Sequence, residues 1–335
     1  MKRVSKKFFA ALWALALCAI GTVAWADVKI DAANFPDEKF RQWLKENAAG
    51  GGDVLTDAQI AAAKEVDVSE TSGVGGISSL KGLEHFTALN RLDCSGNKLK
   101  ELDVSKNGAL VYLNCDGSEL TKLDVSKNRA LEYLKCKDNK LTALDLSHNP
   151  ELGELACGGN KLTALDLSHN PALGEVDCGG NELTELDVSK NGDLETLDCS
   201  GNKLAKLDLS HNPALDRLHC EGNGLTKLNL SKNAALSFVS LPATPEVALP
   251  NGDKIAPGDL QIGKAGGRYR LDISKYADKI EEVLVYVEGD LAPVTASDGV
   301  YAFDPCEGAC TISYKLGERE GEEWVLDLRL DVEKF

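Results

Sequence analysis

Leu89, Leu110, Leu131, Leu152, Leu173, Leu194, Leu215 and Leu236 stand 21 residues apart, and this spacing limits the middle of the chain to a stack of near-identical turns. The seven units they bound follow L-x-x-L-x-C-x-x-N-x-L-x-x-L-D-[LV]-S-x-N-x-x, as in LETLDCSGNKLAKLDLSHNPA at 194–214. Within a unit the apolar residues alternate in two short bursts, LxxLxC and LxxLDL, each followed by an asparagine turn. Alternation over four or five residues is a strand signal, so each unit reads as one coil of two short strands. A single coil cannot bury its leucines. Stacked coils can, because equivalent residues then lie about 4.8 Å apart, like paired strands.

Residues that share a column share an environment. Cys94, Cys115, Cys136, Cys157, Cys178, Cys199 and Cys220 form one column, and alternation with the leucines turns it inward. A disulfide ladder is one reading, but residues in register have parallel Cβ vectors, a poor match to disulfide geometry. Buried free thiols are the favoured reading. Asparagines fill two further columns, 97, 139, 160, 181, 202 and 223, and 107, 128, 149, 170, 191, 212 and 233. Their amides suit the corners, where backbone groups need partners. Ser118 interrupts the first column, so a poorer corner is expected in that coil.

The repeat over about 89–240 resembles the bacterial leucine-rich repeat proteins of the nested 21-residue class, which implies a mainly β solenoid. Residues 1–26 read as a secretory signal peptide: Lys2, Arg3, Lys6 and Lys7, an apolar run from Phe8 to Ile20, then Ala24-Trp25-Ala26. The rival reading is a lipid anchor at Cys18. Residues 27–88 read as a small helical N-terminal cap and a first coil. Phe35, Phe40, Trp43 and Leu44 fit one helix face, and a second helix is expected from Thr56-Asp57 to about Lys64. The loop between them resembles a degenerate EF-hand, but the ligand positions fall on Ala48, Gly50, Gly52 and Gln59, which speaks against calcium. After 89–241 a proline-rich linker, 242–253, precedes alternating runs in 254–335 that suggest an Ig-like β-sandwich. Cap, repeats and Ig-like end are together similar to the internalins, bacterial surface proteins that bind host receptors. In an exported sandwich, Cys306 and Cys310 are candidates for a small-loop disulfide.

Catalysis is not expected. No HExxH, GxSxG, phosphate loop or cysteine–histidine pair occurs, and no cofactor is implied. The formal charge of −16 repels a phosphate backbone, so nucleic acid is an unfavourable partner, and no second apolar run suggests a membrane span in the mature chain. The stacked Asp103, Asp124, Asp145, Asp166, Asp187 and Asp208 are expected to raise one another's pKa, to hold calcium weakly, or to bond corner amides; His148, His169 and His211 stack in a column that also admits lysine. The favoured reading assigns no metal to either column. Flanking the central leucine of LxxLxC, two outward columns vary from coil to coil. They hold the candidate partner-binding residues Arg91, Tyr112, Tyr133, Lys135, Arg217 and His219. The expectation is a secreted or cell-envelope protein that binds a protein ligand through this face. An envelope spacer and a carbohydrate binder are the alternatives.

Overall fold

The computed structural model describes residues 27–236 and, from 238 onward, the segments that form strands, with side chains only for 238–240. The signal-peptide reading of residues 1–26 therefore lies outside the described residues. A short antiparallel pair, β1 (Val28–Lys29) and β2 (Val54–Leu55), brackets helix α1 (Glu38–Asn47). Asp37 starts α1 by accepting from the backbone N–H groups of Lys39 and Phe40, the usual way to satisfy the free donors of a first turn. Phe40 and Leu44 of α1 are fully buried, and Phe35, one residue before Pro36, meets Phe40 edge-on at 5.9 Å.

Helix α2 (Asp57–Ala62) opens with a reciprocal cap between Thr56 and Gln59. It ends earlier than the expected Lys64. The carbonyl of Lys64 accepts instead from the N–H groups of Asn90 and Arg91, and the following residues become β3 (Glu65–Asp67), the first strand of the solenoid. Tertiary pairing here outweighs a weak helical preference.

The coils contribute β4 (Arg91–Asp93), β5 (Tyr112–Asn114), β6 (Tyr133–Lys135), β7 (Glu154–Ala156), β8 (Glu175–Asp177), β9 (Thr196–Asp198) and β10 (Arg217–His219), a parallel sheet in chain order that starts at β3. Register is strict: Leu92, Leu113, Leu134, Leu155, Val176, Leu197 and Leu218 pair in line and are wholly buried. The second burst of each unit was expected to form a strand as well. Only the last, β11 (Lys227–Asn229), does so among the described residues. All seven turn in the same way, with the Ser147 N–H to Asp145 Oδ1 at 2.9 Å and the Asn149 N–H to the Leu146 carbonyl at 3.1 Å as the pattern, and β11 differs in having the strand Glu246–Ala248 paired beside it. One lateral bond per coil remains on that side, such as Lys161 N–H to the Leu141 carbonyl.

The thiol column is buried and every one of its seven cysteines is free. Burial drives all seven thiols upward from their ordinary value near 9.0. Both asparagine columns also face inward, with different results. Asn160 accepts from the Leu141 N–H at 3.0 Å and donates to the carbonyls of Cys136 and Cys157 at 2.9 and 3.0 Å. Asn170 donates to the Leu146 and Asn149 carbonyls at 3.1 and 2.8 Å, but its Oδ1 has no partner, nor has any Oδ1 in that column.

Past the coils, β12 (Phe238–Pro242) pairs parallel with β10 on one side and with the strand Glu322–Asp331 on the other. That strand forms a long hairpin with Ala309–Arg319, so the solenoid sheet runs on into the C-terminal strands. The expected Ig-like packing of 254–335 and the Cys306–Cys310 disulfide lie outside the described residues.

Candidate protein-interaction face

Each strand from β4 to β10 is three residues long, with its central apolar side chain inward and its flanking residues outward. The outward residues of neighbouring coils are therefore held about one strand spacing apart. Arg91, Tyr112 and Tyr133 stand in one column on β4, β5 and β6. The Arg91 guanidinium lies 3.7 Å from the centre of the Tyr112 ring, and the Tyr112 and Tyr133 ring centres are 6.2 Å apart at 40°. Arg91 is held from behind by Glu65 of β3, Nε to Oε1 at 3.1 Å. Tyr133 is 40% exposed, one of two large apolar side chains so open among the described residues. Beside it, Lys135 pairs with Glu154 at 2.7 Å, a hydrogen bond that raises the lysine pKa.

Four of the six predicted residues thus come together, and two do not. Arg217 and His219 lie on β10, four strands beyond Tyr133, about 19 Å at the spacing of paired strands. Arg217 sits 3.6 Å from Asp216, while His219 packs its ring 4.8 Å from Phe238. Sequence reasoning missed that the face begins one strand earlier, with Glu65 and Asp67 of β3. A signal was present, because Val66-Asp67-Val68-Ser69 matches Leu92-Asp93-Cys94-Ser95 position by position, 26 residues upstream.

Between the tyrosines and Arg217 a depression of about 450 Å³ opens beside Tyr133, over Gly153 and Gly174. A methyl group on Gly153 would meet nothing nearer than 3.7 Å, so the fold leaves room there that side chains do not use. Gly158 is different: a Cβ would stand 2.7 Å from the Asp177 carboxylate, and the turn has no room for it.

The aspartate column corrects one expectation. Asp124, Asp145, Asp187 and Asp208 are held below the ordinary carboxylate value, first by the N–H of the serine two residues on and then by its hydroxyl. At exposed positions these bonds outweigh repulsion between stacked carboxylates. His148, His169 and His211 each set Nδ1 2.9–3.1 Å from the preceding serine hydroxyl. No group of three or more histidine, cysteine or carboxylate side chains is placed to hold a metal ion among the described residues. No described helix is long and apolar enough to cross a membrane.

Parallel short strands, inward leucine and asparagine columns and a variable outward face together define a leucine-rich repeat fold. A leucine-rich repeat family profile matches residues 137–153. Among solved structures, internalin C2 of Listeria monocytogenes is similar at 20% identity and a TM-score of 0.58, covering 67% of this chain and 100% of that one. The leucine-rich repeat protein LIC12759 of Leptospira interrogans is similar at 22% identity and a TM-score of 0.51, over 57% and 52% of the two chains. The functional domain of the Listeria protein InlJ aligns over 92% of this chain at 20% identity, with a TM-score of 0.35. The solenoid therefore has an internalin-like fold. No curated protein matches the chain.

Proposed function

We propose that this is an exported, non-enzymatic recognition protein that binds a protein ligand through the concave sheet of its solenoid. Residues 27–88 form the cap and the first coil, 89–241 the recognition repeats, and 254–335 an Ig-like unit joined to them through the pairing of β12 with Glu322–Asp331. The observation that carries the reading is the Arg91, Tyr112 and Tyr133 stack on an outward face whose inward columns hardly change. Arginine and tyrosine are the side chains that most often anchor protein interfaces, because each covers apolar area and still offers a hydrogen bond. Lys135 and Glu154 form a polar rim beside them. Arg217 and His219 belong to a second, lesser contact zone beyond the Gly153–Gly174 depression. The similarity to internalin C2 supports the fold on which this rests, and the basic N-terminus followed by an apolar run supports export.

The test compares three immobilised proteins: the mature chain, the same chain with Tyr112→Ala and Tyr133→Ala, and a control with Thr163→Ala on the far side of the coils. A ligand retained by the first and third is expected to be lost from the second, while the melting temperature moves by about 2 °C or less. Equal retention by all three would remove the concave face from the account.

A further inference from the structure

The cap holds a cavity that shares only its β3 edge with the protein-binding face. It has a volume of about 750 Å³ and lies between α1 and β3, with Gln42, Trp43, Glu46, Asn47, Glu65 and Asp67 in its lining. This size suits a small ligand or a sugar unit or two. Trp43 is half-buried against the core, and Phe40 stacks on its ring at 6.4 Å and 24°, so the indole is fixed before any ligand arrives. The Asn47 amide donates to the Trp43 carbonyl at 2.9 Å, which secures the same turn of helix.

The charged groups around the cavity already have partners. Arg91 holds Glu65, and Asp67 Oδ1 accepts from the N–H and hydroxyl of Ser69 at 3.1 and 2.7 Å. The Gln42 amide donates to Glu46, and Lys39, which also lines the cavity, donates to the Gly75 carbonyl at 2.6 Å. An anionic ligand would be repelled by the three carboxylates Glu46, Glu65 and Asp67. A neutral ligand would not be, and the cavity suits one that carries several groups that each donate and accept, and an apolar face to lie on an indole. Those are the properties of a saccharide: hydroxyls meet carboxylate, amide and serine groups, and ring C–H groups meet tryptophan.

We infer that the cleft between α1 and β3 is a binding site for a neutral saccharide, at the edge of the protein-binding face and centred on Trp43 rather than on the tyrosines. The probes are neutral mono- and disaccharides of glucose, galactose, mannose and N-acetylglucosamine, titrated into the full mature chain with Trp324→Phe. That substitution leaves Trp43 as the sole indole after residue 26. The expected result is a saturable change in Trp43 emission with a millimolar Kd for at least one sugar, with saturation-transfer NMR signals from the same sugar. Trp43→Phe should weaken binding about tenfold in the NMR assay. Gln42→Ala, on the exposed side of α1, should weaken it several-fold with an unchanged melting temperature. Tyr112→Ala with Tyr133→Ala should leave sugar binding untouched, which separates this site from the concave face. The inference fails if no sugar binds, if Gln42→Ala and Trp43→Phe both bind as tightly as the parent, or if arginine ethyl ester binds the cleft in place of the sugars.

Discussion

Serine at position 118 breaks an asparagine column and shows what one amide does in this fold. Its side chain is 8% exposed and its hydroxyl has no hydrogen-bond partner, whereas Asn139 in the next coil accepts from the Leu120 N–H and donates to the Cys115 and Cys136 carbonyls. A buried hydroxyl without a partner carries a desolvation penalty of about 1–3 kcal/mol. Ser118→Asn should therefore stabilise the protein by about 1–2 kcal/mol, measured as a higher urea midpoint with an unchanged slope. A lower midpoint would mean that the second coil cannot seat an amide. This corner was legible in the sequence, because the column and its exception are both visible at a fixed period. The stacking of Arg91 on Tyr112 was not, since period alone does not say which rotamers the side chains adopt.

The coil is the element that the asparagines define, and its two corners are built differently. Asn160 satisfies donors and acceptors on both sides, while Asn170 leaves its own Oδ1 without a partner. Removing a satisfied buried amide strands every group it served, and removing one with an orphan atom also removes that orphan. We expect Asn160→Ala to cost about 3 kcal/mol and Asn170→Ala about 1 kcal/mol less, read from denaturant curves of the two variants. Equal losses would contradict the asymmetry. Each second burst alternates like a strand in sequence, yet six of the seven are not strands among the described residues. Local alternation reports burial, whereas strand formation also needs a neighbour with free lateral N–H and carbonyl groups. Among the described residues only β11 has such a neighbour, the strand Glu246–Ala248, although its turn is bonded like the others.

For the whole molecule, the thiol column links the core to pH. Folded thiols sit above their ordinary value near 9.0, while the unfolded chain titrates near it. The stability this supplies is complete below about pH 8.5 and falls as pH rises beyond, because the unfolded state then loses protons that the folded state keeps. The slope approaches about 1.4 kcal/mol per pH unit for each thiol. Thermal melts should drop steeply between about pH 9 and 10.5, Cys157→Ala should shallow the fall, and native protein should resist iodoacetamide until denatured. Rapid alkylation of any of the seven column thiols in the native protein, located by peptide mapping, would refute burial of the column. The amino-acid sequence alone determined the period, the inward columns and the short strands of the solenoid, because a 21-residue repeat repeats its environments as well as its residues. Only the tertiary structure decided which outward residues meet, and that α1 and β3 form a cleft. Those features arise where non-repeating segments pack against the repeat, and nothing periodic in the chain records that packing.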